Sequence, residues 1–122
     1  VFEDLPNALL VEDDAQDRLE IRLHLELMGF VVYDTPSATE AEELFAQRDY
    51  SIVLIHLGHA QLESMQVCRS IRALSTVPII MLTKRDEVVD EEMVLSAGAD
   101  DYVTKPILPR ILTSRVTQQV KR

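Results

Sequence analysis

Short, almost wholly apolar runs separated by longer stretches with helical spacing constrain this chain more than any other feature. Ala8-Leu9-Leu10-Val11, Phe30-Val31-Val32-Tyr33, Ser51-Ile52-Val53-Leu54-Ile55 and Pro78-Ile79-Ile80-Met81-Leu82 are the four main runs, and Tyr102-Val103 is a shorter fifth. A strand that is apolar at successive positions is covered on both faces, which is the situation in a parallel sheet with helices on either side. Parallel strands in turn need crossover segments of a dozen or so residues, and the gaps between the runs are long enough for helices. The predicted fold is α/β, with five parallel strands in one doubly wound sheet and five helices.

The connecting segments carry helix signals. Ser37 followed three residues later by Glu40 is a capping box that opens a helix through about Gln47. Met65, Cys68, Ile71 and Leu74 recur at helical spacing, and the stretch from Glu87 to Ala97 stops at Gly98. Pro109 suits a first helical turn, ahead of Leu112, Val116 and Val120 at intervals of four. Residues 19–27 are ambiguous, because Leu19, Ile21, Leu23, Leu25 and Leu27 alternate with polar residues as in a strand. Leu, Glu and Arg are helix formers and a crossover is required there, so a helix is predicted. On it Ile21, Leu25 and Met28 share the inner face, while Leu19, Leu23 and Leu27 form a second, partly exposed apolar stripe, either an ordinary apolar patch of surface or a contact for a protein partner.

A chain of 122 residues can bury a core without staples, and its lone Cys68 allows no disulfide. Cys68 is expected in the core, and His24 at the edge of the first helix is expected to be satisfied locally. The net charge of −9 argues against this segment gripping nucleic acid. No apolar run is long enough to cross a bilayer, so no membrane partner is expected and a cytoplasmic location is. The chain opens on Val1 rather than Met and closes on Lys121-Arg122. From this, residues 1–122 are expected to be a single domain of a longer regulator, with a further domain after Arg122.

In doubly wound sheets, chemistry collects at the carboxyl ends of the strands. Glu12, Asp13 and Asp14 follow the first run, His56 the third and Thr83 the fourth, and Lys105 precedes Pro106 after the fifth. Carboxylates suit Mg²⁺, and a Thr hydroxyl with a Lys ammonium suits a phosphoryl oxygen.

Leu10-Val11-Glu12-Asp13-Asp14, Ile79-Ile80-Met81-Leu82-Thr83 and Gly98-Ala99-Asp100-Asp101-Tyr102-Val103-Thr104-Lys105-Pro106 resemble, over nearly the whole chain, the receiver domains of two-component response regulators. The likeness is greatest to the winged-helix (OmpR/PhoB-like) subfamily. It implies a flavodoxin-like receiver fold with strand order 2-1-3-4-5. It also implies that Asp13 matches a Mg²⁺ ligand, Glu12 its acidic neighbour, Thr83 the phosphoryl-contacting hydroxyl and Lys105 the family lysine. Lys105-Pro106 is implied to be cis, and Tyr102 with Thr83 to form the switch.

The third run departs from the family pattern. His56 stands where the family has its phosphoacceptor aspartate, Ala60 where a proline is common and Ser64 where a glycine is. An imidazole is neither a carboxylate nucleophile nor an anionic ligand, so phosphorylation is expected to be lost, Mg²⁺ binding weak or absent, and Glu12 and Asp13 vestigial as metal ligands. Lys105 and His56 are expected to neutralise Glu12 and Asp13 directly, with His56 drawn toward its protonated form. In a rival reading, His56 joins Asp13 and Glu12 in a transition-metal site, with His59 nearby in the loop.

The resemblance further implies a homodimer through the helix 4, strand 5 and helix 5 face, with Asp100, Asp101, Ile111, Arg115 and Arg122 on it. The function expected is a phosphorylation-independent receiver of a transcriptional regulator that reaches DNA only through a domain beyond this chain. The alternative is a stand-alone adaptor that binds a protein at the Leu19, Leu23, Leu27 stripe. No second nucleophile–base arrangement points to an enzyme.

Overall fold

The computed structural model describes residues 5–58, 61–84 and 91–121. Its elements run β1 (Asn7–Val11), α1 (Ala15–Leu27), β2 (Val31–Thr35), α2 (Ala38–Gln47), β3 (Ile52–His56), α3 (Gln61–Leu74), β4 (Ile79–Lys84), α4 (Glu91–Ser96), β5 (Asp101–Lys105) and α5 (Pro109–Lys121). All neighbouring strands pair in parallel, in the order β2-β1-β3-β4-β5, as expected for a doubly wound sheet.

Strand periodicity sorts the apolar runs onto two faces. Leu9 and Val11 of β1, Val53 and Ile55 of β3, and Ile79 and Met81 of β4 pack with Ala41 of α2, Met65, Cys68 and Ile71 of α3, and Val94 of α4. Ala8 and Leu10, Ile52 and Leu54, and Ile80 and Leu82 face the other way, onto Ile21 and Leu25 of α1 and Leu112 and Val116 of α5. Burying both faces of three central strands is what demanded their unbroken apolar runs. Cys68 is fully buried, and burial pushes its thiol up to about 11, the state of a core residue.

The ambiguous segment is helical. Asp14 caps α1, accepting from the amides of Gln16 and Asp17, and Ile21 and Leu25 turn inward. Leu19, Leu23 and Leu27 are 56, 51 and 86% exposed, so the second stripe faces outward. His24 Nε2 lies 2.7 Å from Thr113 Oγ1 of α5, a local partner as expected.

Several boundaries differ from the sequence reading. The capping box at α2 is only half made: Ser37 Oγ accepts from Glu40 N at 3.3 Å, while Ser37 N donates to Thr35 Oγ1 rather than to Glu40. Helix α3 begins at Gln61 rather than Met65: Gln61, Leu62 and Glu63 are exposed, so the first apolar residue of the helix faces outward and the inward apolar spacing starts only at Met65. Strand β5 runs from Asp101 to Lys105, longer than the two residues expected, since only alternate positions on this edge strand face inward. Val120 is exposed, so only Leu112 and Val116 of the four-residue series in α5 reach the core. The predicted start of the fourth helix at Glu87 lies outside the described residues. Its end is as expected: Gly98 has φ +110°, and a Cβ there would meet Arg72 Cγ at 2.8 Å.

Candidate functional site at the carboxyl edge of the sheet

Three strands deliver charged side chains to one point. Glu12 follows β1 directly, and its amide continues the ladder by donating to Thr35 O at 3.0 Å. That pairing keeps Glu12 under the edge of the sheet, where it is fully buried. His56 is the last residue of β3 and Lys105 the last of β5, so both side chains turn toward the same carboxylate. Such a charge is tolerated inside a protein only if it is paired and hydrogen-bonded.

The pairing is made atom by atom. His56 Nδ1 lies 2.9 Å from Glu12 Oε2 and 2.9 Å from Asp13 Oδ1. Lys105 Nζ donates to Glu12 Oε1 and, at 2.8 Å, to Asp17 Oδ2. The Asp14 amide adds a bond to Glu12 Oε2 at 3.1 Å. Glu12 therefore holds Lys105 on one oxygen and His56 on the other.

The charges set the protonation of their neighbours. Burial pulls the His56 imidazole downward most strongly, but the hydrogen bonds to Glu12 and Asp13 outweigh it and hold its pKa above the usual value. Lys105 shows the same balance: burial opposes its charge, and Asp17 and Glu12 more than restore it. Asp13 is held below the usual carboxylate range, because the His56 hydrogen bond leads the influences that overcome its burial.

The geometry now sits beside a sequence match: the profile of the response regulator receiver domain family covers residues 8–117. The chain belongs to that family. It is 39% identical over 119 residues to the transcriptional regulatory protein CseB of Streptomyces coelicolor, covering 98% of this chain and 51% of CseB. The chain thus spans about half the length of the curated relatives it matches. Among solved structures, the receiver domain of the TMAO respiratory system response regulator TorR superposes with a TM-score of 0.87 at 29% identity, over 96% of this chain and 98% of that one. A response regulator of Chloroflexus aurantiacus gives 0.88 at 25% identity, over 98% and 100%. This is a signalling domain found in transcriptional regulators.

Within the receiver frame, Thr83 is buried on β4, one residue past the rung that joins His56 to Leu82, with its hydroxyl 3.4 Å from Thr104 Oγ1. Tyr102 is half-buried against the core on the α3 side. The Lys105–Pro106 peptide is cis.

Lys105 and His56 pair with Glu12 and Asp13 directly, as expected, and they divide the acids between them. Lys105 reaches Glu12 and Asp17, while His56 bridges Glu12 to Asp13. The sequence reading missed Asp17. Its signal was available: a residue three after the Asp14 cap lies in the first turn of α1, directly above the strand ends. Ser64 was noted only as a departure, yet its hydroxyl donates to His56 O at 3.0 Å and ties the start of α3 to the end of β3.

Residues of the expected dimer face also have partners within the chain. Asp100 accepts from Arg72 Nη2 at 2.7 Å and from Ile79 N at 2.8 Å, joining α3 to β4. Ile111 is partly spent on the core around α5. Asp101 and Arg115 pair with each other within the chain at 3.0 Å. Arg122 and His59 lie outside the described residues.

The family implies Mg²⁺ at this edge, an ion that takes oxygen ligands in near-octahedral geometry. Glu12, Asp13 and His56 place three ligand atoms within 4.8 Å of one another, but one of them is an imidazole nitrogen. That donor set does not fit Mg²⁺.

Proposed function

We propose that this chain is a phosphorylation-independent receiver domain whose pocket is held by its own ion pairs. One observation carries the reading: a buried imidazole, at the end of β3, is bonded to Glu12 and Asp13, the first two of the three carboxylates that follow β1. Phosphoryl transfer to a receiver requires a carboxylate nucleophile there and a cation to offset donor charge. His56 supplies no such nucleophile, and Lys105 is already engaged by Glu12 and Asp17. Mg²⁺ binds weakly or not at all, with Glu12 and Asp13 vestigial as its ligands.

Output is by homodimerisation through α4, β5 and α5, where Asp101, Arg115 and Ile111 remain available at least in part. DNA is reached through a domain outside this chain, in the cytoplasm, as the transcriptional roles of the relatives suggest. Incubation with acetyl phosphate and Mg²⁺ leaves the intact mass unchanged, and light scattering shows dimers forming with concentration alone. A phosphate adduct, or a monomer at tens of micromolar, contradicts the respective half of this reading.

A second reading is an adaptor that binds a protein along α1. It is favoured by the outward stripe of Leu19, Leu23 and Leu27. Leu23 and Leu27 also line an open groove of about 740 Å³ whose far wall includes Ile107, Pro109 and Leu112. Two-hybrid or pull-down partners lost in the triple Leu→Ser variant would favour it over the dimer.

A further inference from the structure

The misfit to Mg²⁺ has a chemical counterpart. Replacing an oxygen donor by an imidazole moves a site from hard to borderline character, and borderline divalent ions such as Zn²⁺ and Co²⁺ prefer mixed nitrogen and oxygen ligands. We propose that Glu12, Asp13 and His56 form a binding site for a zinc-class divalent ion. The proposal rests on the reading that His56 has displaced phosphoryl chemistry here, and it names what the converted pocket can hold.

The geometry brings three donors to one side of the pocket. Metal bonds of about 2.0–2.1 Å put neighbouring donor atoms about 2.9 Å apart at right angles and about 3.3 Å apart in the tetrahedron that zinc favours. His56 Nδ1 lies 2.9 Å from Glu12 Oε2 and 2.9 Å from Asp13 Oδ1, and the three donors lie within 4.8 Å of one another, so small side-chain shifts let one ion meet them all. A single Nδ1 proton is divided between two carboxylate oxygens, whereas a divalent ion can bond to both at full strength. On binding, the ion takes the place of that proton, which leaves to solvent.

The surroundings fit the same role. Glu12 keeps its other oxygen on Lys105 and receives the Asp14 amide, so its orientation is fixed from behind. Glu12 and His56 are buried, while the Asp13 side chain is 57% exposed, so the site is closed within and open on one side. Waters complete the shell from that open side. Gly58, at φ +52°, keeps it clear: a Cβ there would stand 3.2 Å from His56 Nδ1 and 3.7 Å from Asp13 Oδ1.

The test is a titration of the whole chain with Co²⁺, followed by its visible absorption, then displacement by Zn²⁺ and separately by Mg²⁺. One equivalent of Co²⁺ should bind and be displaced by Zn²⁺ far more readily than by Mg²⁺. Substituting H56A should weaken Zn²⁺ by more than the roughly 10–100-fold that a merely supporting residue costs. D13N should weaken it comparably. It changes an exposed side chain, so it remains decisive if H56A fails to fold. Zn²⁺ competing no better than Mg²⁺, or affinity unchanged in D13N, overturns the site. Neither result bears on whether acetyl phosphate modifies the protein, so the two readings fail separately.

Discussion

The carboxyl-edge pocket and the β5–α5 surface both pair acids with bases, yet their pairs are of different kinds. In the pocket, Glu12 is fully buried and is met by Lys105 and His56 from two other strands. On the surface, Arg115 is 46% exposed and meets Asp101 at 3.0 Å. Removing one member of a buried pair strands a charge that water cannot reach, whereas an exposed pair is replaced by hydration. The pocket pairs are therefore structural members of the fold, and in the proposed dimer the surface pair would exchange with a second copy.

That contrast can be broken by mutation. K105M should cost the most, about 3–5 kcal/mol in denaturant unfolding, because it leaves buried Glu12 without its ammonium. A cost under about 1 kcal/mol would mean that water enters the pocket. H56A should cost less, about 2 kcal/mol, since Lys105 and the Asp14 amide still hold Glu12. A third effect depends on pH, measured with EDTA present. The folded pKa of His56 lies above its ordinary 6.5, so its contribution is fully present below that value. It is lost as pH rises from there through the raised pKa, and the slope should vanish in H56A. The smallest effect is expected for R115A: under about 1 kcal/mol on monomer stability, with a visible loss of dimer in light scattering.

Some parts of the molecule are written in the sequence more plainly than others. Strands β1, β3 and β4 were legible because both of their faces are covered, which forces unbroken apolar runs. Strand β5 was half legible, since only Val103 and Lys105 are buried on it and exposed Thr104 lies between them, which dilutes the apolar signal. The pocket members Glu12, Asp13, Thr83 and Lys105 were legible from their place after each run, and His56 from its departure. Which acid each cation chooses was not. Lys105 spans from β5 to Asp17 on α1, a contact set by how the first turn of a helix sits over the sheet, and no spacing along the chain encodes it. The partner of Asp100 was hidden for the same reason: its carboxylate takes Arg72 of α3, 28 residues back along the chain.

The central claim is that His56 acts as a cation between Glu12 and Asp13, and its ring nitrogens report on this directly. Nitrogen-15 NMR of the EDTA-treated chain across pH should show His56 still mostly protonated on both nitrogens at pH 6.5, reaching half-neutralisation only above that ordinary value. A ring that stays neutral down to about pH 5 would contradict the account.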